Sequence, residues 1–124
     1  MGWQIDYLQD IDTIRVTTTG TMRLDDIRQM TIDALAAGNA QGANRFLIDH
    51  RRMLPAMSNE DIFDLYKINA GLGVDASMRA AIVYNADSAG KDDFFFYEVH
   101  TMSRGASNIR LFTDLLQAMD WLAD

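Results

Sequence analysis

Two runs of alternating apolar and polar residues open the chain and predict a β-hairpin. Apolar side chains alternate with polar ones in residues 3–7 and again in residues 13–19, with a short acidic turn between them. A period of two places every second side chain on the same face of a strand. Because the link is short and polar, we expect the two strands to pair antiparallel. Gly20 is expected to end the second strand.

Three short apolar runs further along predict buried strands. They are Phe-Leu-Ile at 46–48, Ala-Ala-Ile-Val-Tyr at 80–84 and Ile-Arg-Leu-Phe at 109–112. Largely continuous apolar character over a few residues is typical of strands buried on both faces of a mostly parallel sheet. We expect the first of these strands to end near Asp49. Residues 53–57, which include the only proline of the sequence, are expected to form a loop.

Between and after these strands, apolar residues recur at helical spacing, and capping residues suggest the helix bounds. We expect a first helix that carries Ile27, Met30, Ala34 and Leu35 and stops at Gly38-Asn39, and a second that is capped by Ser58 and stops at Gly71-Leu72-Gly73. A third helix is expected to be capped by Asp87 or Ser88 and to stop at Gly105, and a fourth to be capped by Thr113. The order ββαβαβαβα, in one domain over residues 1–124, predicts an α/β fold with a mixed, mostly parallel five-stranded sheet.

Composition narrows the function classes. The 124 residues are 48% hydrophobic and 23% charged, with no cysteine, as in an ordinary globular domain without disulfides. The net charge of −7 disfavours binding to a nucleic-acid backbone. No apolar segment approaches the ~18 residues of a membrane span. The N-terminal residues lack a secretion-signal pattern, so a cytoplasmic location is the default expectation.

Asp49, His50, Arg51 and Arg52 form the most distinctive polar cluster. Ligands of open α/β sheets bind beyond the carboxyl ends of the strands, where this cluster is expected to lie. Asp49 and His50 could supply acid–base chemistry, but no nucleophile or second acid accompanies them, so we favour a structural role for Asp49. Arg51 and Arg52 are candidates for binding a carboxylate or phosphate. The two histidines lie on different predicted elements, so we expect no metal, and no cofactor is expected.

Two further groups of residues are candidates for binding. Met53, Met57, Phe63 and Tyr66 could line an apolar ligand pocket, and the alternative is that they belong to an ordinary core. Ser58 is more plausible as a helix cap than as a nucleophile.

The four consecutive aromatic residues 94–97 point around most of the circumference of the third helix. Phe95, Val99 and Met102 share a stripe that we expect to face the core. Phe96 then falls on the far side, and such an aromatic surplus favours burial in a homodimer. The expected interface residues are Phe94, Phe96, Tyr97 and His100.

Several short features are spaced along the whole chain, namely Gly20, Phe-Leu-Ile-Asp at 46–49, Ala-Ile-Val at 81–83, Leu111-Phe112, Ala118 and Trp121-Leu122. In the order and spacing of these features the chain resembles the SpoIIAA-like branch of the STAS-like superfamily. The resemblance implies one α/β domain with helices largely on one face of the sheet. It also implies relatives that include anti-sigma-factor antagonists switched by phosphorylation, and a fold shared with lipid-carrying CRAL-TRIO domains.

One departure from the antagonists concerns their phosphorylated serine. They carry an Asp-Ser-Ser/Thr-Gly type of motif where the third strand meets the second helix. This chain has Asp49-His50-Arg51-Arg52 there, with Ser58 further on as a weak candidate for phosphorylation.

Three functional hypotheses remain open. The first is a non-enzymatic regulatory or protein-interaction module. The second is a carrier or sensor of a small apolar or anionic, lipid-like ligand, held between the second and third helices and the end of the third strand. The third is an enzyme that uses Asp49 and His50.

Overall fold

The secondary-structure elements follow the expected order along the chain. The structure is a computed structural model that describes residues 2–103 and 108–124, without the side chains of His100, Met102 and Ser103. The strands are β1 (Trp3–Leu8), β2 (Thr13–Met22), β3 (Arg45–Pro55), β4 (Arg79–Val83) and β5 (Ile109–Phe112). The helices are α1 (Leu24–Gln41), α2 (Asn59–Leu72), α3 (Lys91–Ser103) and α4 (Leu115–Ala123). A short 3-10 turn, Gln9–Ile11, joins β1 to β2.

The five strands form one sheet in the order β1-β2-β3-β4-β5. β1 pairs antiparallel with β2, and every other neighbouring pair is parallel. The predicted hairpin and the mixed, mostly parallel sheet are therefore confirmed. β3 lies at the centre of the sheet, and its first half is largely buried on both faces.

Helices cover the two faces unequally. α1, α2 and α3 pack on one face, over a large apolar core that includes Ile14, Val16 and Phe46. α4 packs alone on the other face, where Ala118 and Leu122 meet a smaller core from β3 and β4. The expected arrangement of helices largely on one face is confirmed.

β3 is much longer than predicted, because residues 53–55 continue the strand instead of forming a loop. β2 also continues past Gly20, and its last residue, Met22, pairs with Pro55. β4 ends opposite Asp49, so the later part of β3 pairs with β2 alone. Proline is tolerated at such an edge, since its missing N–H is not needed for a second ladder. The polar cluster that begins at Asp49 therefore lies within a strand.

The predicted stop of the first helix at Gly38 is wrong. α1 continues to Gln41 and ends at Gly42, which has the left-handed φ of 68° typical of a glycine cap. Gly38 is needed for close packing instead. A Cβ atom there would lie 2.8 Å from the carbonyl oxygen of Ala43 and 2.9 Å from the ring of Phe46.

Two predicted helix caps are also wrong. α3 begins only at Lys91, and the Ser88 hydroxyl accepts the backbone N–H of Gly90 at 3.1 Å. α4 is capped by Asp114, not by its neighbour Thr113. Serine, threonine and aspartate cap helices about equally well, so adjacent candidates are hard to separate from sequence. Gly105, the expected stop of the third helix, lies outside the described residues.

The Ser58 cap is confirmed. The backbone N–H of Asp61 donates to the Ser58 hydroxyl at 3.0 Å, and the Asp61 carboxylate accepts the Ser58 N–H at 3.2 Å. This reciprocal pair is a capping box, which satisfies two backbone donors at the start of α2.

Replacing Ser58 by alanine should lower the free energy of unfolding by about 1 kcal/mol, because the N–H of Asp61 loses its acceptor. Ser58→Asp should remain near the wild-type value, since a carboxylate also caps a helix and favours its N-terminus. Urea unfolding monitored by circular dichroism measures both changes. Wild-type stability in the alanine variant would show that the cap contributes nothing.

Candidate functional site

Asp49 and His50 are both buried, but they point to opposite faces of the sheet. Successive side chains alternate along a strand. His50 faces α1–α3, where its ring lies 5.9 Å from that of Phe94. Asp49 shares the other face with Leu47, which packs against α4. The two side chains therefore do not converge on one substrate position.

Asp49 is held by two arginines. The Nε and Nη2 groups of Arg51 donate to its two carboxylate oxygens at 2.9 and 2.7 Å, and the Arg51 backbone N–H donates at 3.1 Å. Nη2 of Arg15 on β2 lies 3.6 Å away. Burial raises the pKa of Asp49, but the hydrogen bonds and charge of Arg51, together with the charge of Arg15, outweigh burial and lower the pKa overall. This arrangement agrees with a structural role for Asp49 in joining β3 to β2.

The candidate anion-binding residues Arg51 and Arg52 are not part of a shared site with His50. Arg51 is engaged with Asp49, and Arg52 is exposed. From Asp49 to Arg52, β3 advances by three residues, whereas its partner β2 advances by only two, from Thr17 to Thr19. This β-bulge reorients side chains locally. As a result, His50 and Met53 both face α1–α3.

A cavity of about 110 Å³ lies between the sheet and the helices α1, α2 and α3. Its wall is mostly apolar. The apolar side chains come from all three helices and from β3, β4 and β5, and they include Ile27, Met30, Ala34, Phe46, Ile48, Met53, Ile62, Leu65, Ile82, Phe94 and Ile109. The polar or hydroxyl-bearing lining residues are Thr31, His50, Asn69, Asp93, Tyr97 and Asn108. The cavity lies beside the second and third helices and the third strand, which are the elements named in the ligand-carrier hypothesis.

Of the candidate ligand-binding residues, Met53 and Met57 are among those that line this cavity, whereas Phe63 and Tyr66 are not. α2 directs Ile62 and Leu65 inward. Phe63 is about 100° further round the helix, and 44% of its surface is exposed. The wide apolar face of α2 is therefore only partly used to line the cavity.

A chain of two hydrogen bonds fixes the orientation of His50. The Thr18 hydroxyl lies 3.1 Å from the Asp49 carbonyl oxygen and 2.6 Å from Nδ1 of His50. A carbonyl only accepts, so the single hydroxyl proton is donated to Asp49. Nδ1 must then carry a proton and donate it to the Thr18 oxygen. The other ring nitrogen, Nε2, is left with a lone pair that can accept a hydrogen bond.

Burial keeps the histidine and the tyrosine of the cavity uncharged. It lowers the pKa of His50 to about 4, although the charge of Asp49 opposes this effect. Burial also raises the pKa of Tyr97 to about 12, with the Asn69 amide opposing the rise. At neutral pH both groups act as neutral hydrogen-bonding groups.

Asn69 is one of the polar lining residues that were not predicted from the sequence. Its carbonyl oxygen is buried, and no hydrogen-bond partner for it occurs in the described part of the chain. Leaving a buried acceptor unpaired costs roughly 1–3 kcal/mol. A signal was present in the sequence, since Asn69 follows Ile62 and Leu65 at helical spacing and so interrupts an apolar stripe with an amide.

The expected faces of α3 are partly wrong. The buried stripe contains Phe94, Tyr97 and Thr101, so the first two are core residues and offer no surface to a partner. Phe95 and Val99, which were expected in the core, are 62% and 46% exposed. The predicted and observed buried stripes differ by a shift of about one residue along α3. Four consecutive aromatic residues give almost the same apolar pattern before and after such a shift, so the sequence does not separate the two.

The other proposed interface residues are Phe96 and His100. Phe96 is half-buried and packs against the large core. The side chain of His100 lies outside the described residues, as does that of Met102.

Neither a cluster of metal-ligating side chains nor a membrane-spanning helix occurs among the described residues. No group of three or more His, Asp or Glu side chains there could hold a metal ion. Within the same residues, no helix is both long and apolar enough to cross a membrane.

Comparison with solved structures decides the fold. An uncharacterised protein of the DUF3478 family from Shewanella loihica, described as having a SpoIIAA-like fold, is 21% identical to this chain. The match covers 97% of this chain and 91% of that protein, with a TM-score of 0.53. The Bacillus cell fate determinant SpoIIAA in its phosphorylated form is 13% identical, with coverage of 97% and 98% and a TM-score of 0.54. The fold is SpoIIAA-like.

No protein-family model and no curated protein matches the sequence. At these identities the SpoIIAA-like fold is shared and individual residue roles are not transferred. Ser58, the candidate for phosphorylation, is exposed at the start of α2, where its hydroxyl oxygen accepts the Asp61 N–H. Its phosphorylation stays a prediction.

His50 should make the stability of the protein depend on pH. The unfolded state binds a proton near pH 6.5, whereas the folded state does so only near pH 4, so stability is complete above pH 6.5 and is lost as the pH falls towards 4. This difference corresponds to about 3 kcal/mol between pH 7 and pH 4. Urea unfolding at a series of pH values should show the loss.

The matched variant is His50→Gln, which has no titrating group at this position. Acidic residues contribute to the slope in both proteins, so the contribution of His50 is the difference between the two curves. Parallel curves for the wild type and the variant would contradict a buried, neutral His50.

Proposed function

We propose that this chain is a non-enzymatic module that binds a small, mainly apolar molecule in the cavity between α1, α2, α3 and the sheet. The observation that carries the proposal is the cavity itself, at about 110 Å³ with a mostly apolar wall. Protein interiors are otherwise close-packed and contain few voids larger than a water molecule. An engineered apolar cavity of about 150 Å³ binds benzene, so this space suits a group about the size of a single ring.

The hydrophobic effect would supply most of the affinity. A bound molecule would contact side chains such as Met30, Ile62 and Phe94 on three separate helices. Each Å² of apolar surface removed from water contributes roughly 25 cal/mol. Methionines suit such a wall, because their flexible side chains adapt to the shape of a ligand.

A binding role is also supported by the separation of the acid and the histidine. General acid–base catalysis requires groups within hydrogen-bond reach of one substrate. Asp49 is paired with Arg51 on one face of the sheet, and His50 faces the cavity on the other. A neutral His50 with a pKa of about 4 is also a weak base at neutral pH.

A regulatory role is consistent with the position of α3. Phe94 and Tyr97 on its inner side line the cavity, while Phe95 and Val99 face outward. A ligand that shifts this helix would therefore change the outer surface that a protein partner meets, provided that it binds the two states with different affinity. The SpoIIAA-like fold is that of a Bacillus cell fate determinant, which also favours a regulatory reading.

Filling the cavity should abolish binding without unfolding the protein. Ala34 is buried on α1 and lines the cavity, so Ala34→Leu should place its added carbons in that space. Saturating toluene should raise the unfolding temperature of the wild type and not that of the variant. Differential scanning calorimetry measures both.

The matched control is Ala36→Leu, which adds the same atoms two residues later, at an exposed position of the same helix. It should keep the wild-type response to toluene. An equal response in the Ala34 variant would show that toluene binds elsewhere and would contradict the proposal.

A second proposal is homodimerisation through the outer face of α3. Phe95 and Val99 lie one helical turn apart and are both largely exposed. An apolar pair of this kind favours burial against a second copy by two-fold symmetry. We still expect a homodimer, but with Phe95 and Val99 at the centre of its interface in place of Phe96 and its neighbours.

Light scattering should give about twice the 14.0 kDa chain mass at micromolar concentration, and Phe95→Glu should halve that value. Leu116→Glu is the control, since Leu116 is 71% exposed on α4, across the sheet, and its variant should remain dimeric. A wild-type monomer, or equal dissociation by both variants, would disprove this interface.

A further inference from the structure

We infer that the cavity selects a neutral, ring-sized molecule that carries a hydroxyl or N–H group, and that it rejects carboxylates. The inference rests on the proposed binding function and adds the chemical class of the ligand. It narrows the expected apolar or anionic ligand to a polar but uncharged one. Three features of the cavity wall support it.

The first feature is the acceptor on His50. Donation from Thr18 to the Asp49 carbonyl commits the only hydroxyl proton, so Nδ1 of His50 must donate and Nε2 must accept. His50 is among the lining residues, and the hydrogen bond that its ring makes within the described residues is the one between Nδ1 and Thr18. A ligand O–H or N–H group would satisfy this nitrogen.

The second feature is the acceptor on Asn69, which reaches the cavity from α2. Its carbonyl oxygen is buried and has no partner within the described residues, although buried acceptors are normally paired. This observation is independent of the histidine, since the two residues lie on different elements. Two acceptors among the lining residues favour a ligand that donates.

The third feature is the charge of the cavity. None of the described lining residues is an arginine or a lysine, and Asp93 adds a carboxyl group. A bound carboxylate would lose its hydration without gaining a counter-ion, which is strongly unfavourable. Tyr97, which keeps its proton at neutral pH, offers a donor to an uncharged ligand. A hydroxyl group can both donate and accept, so it matches this wall best.

Three ring-sized probes of similar size test the inference by isothermal titration calorimetry at pH 7, namely phenol, toluene and benzoate. We expect the Kd of phenol to be about fivefold lower than that of toluene, which corresponds to one net hydrogen bond of about 1 kcal/mol. Benzoate should bind at least about a hundredfold more weakly than phenol. A purely apolar cavity would give the reverse order for phenol and toluene, because the phenol hydroxyl would lose its water.

The variant Asn69→Leu should remove most of the preference for phenol and retain toluene binding. Asn39→Leu, at an exposed position of α1, should leave the preference unchanged. Toluene binding without any preference for phenol would overturn the inference and leave the proposed binding function standing. Failure of all three probes to bind would overturn both. A preference that survives in Asn69→Leu and in His50→Gln would show that these acceptors do not select the ligand.

Discussion

The pairing of β2 with β3 is the constraint on which the rest of the structure depends. These two strands are the longest of the described sheet, and their ladder runs well past the last residue of β4. The extension carries Met53 and Pro55 over the cavity, and the bulge within it keeps Met53 on the same face of the sheet as His50. If β3 ended near Asp49, as its apolar run alone suggests, His50 would lie in a loop and the cavity would lose one wall.

Much of the fold follows from the sequence because its signals are local and repeated. Alternation in the first two strands, short apolar runs in the next three and the Ser58 capping box each depend on neighbouring residues. The length of β3 was missed because its extension begins with two arginines, which break the apolar run, and ends at Pro55, a residue type depleted in strands. These residues are held there by β2, which is more than thirty residues away in the sequence.

The location of the candidate site could be predicted from the sequence, but most of the residues that line it could not. Its location beside the third strand followed from the general behaviour of α/β sheets. Four consecutive polar residues nevertheless separate into an ion pair around Asp49 on one face, an exposed Arg52 and a buried His50 on the other. Alternation along β3 separates Asp49 from His50, and the bulge after His50 returns Met53 to the cavity side, which no residue type in the sequence marks. Asn69 was findable, because a polar residue interrupts an otherwise apolar stripe.

Gly38 shows how tightly the size of the cavity is tied to the backbone. Its missing side chain lets α1 approach the ring of Phe46, and that ring is itself part of the cavity wall. A single methyl group added to this helix would have to displace either the helix or the ring. Selection on ligand size could therefore act through a residue that never meets the ligand, and related chains with a larger residue here should have a differently shaped interior.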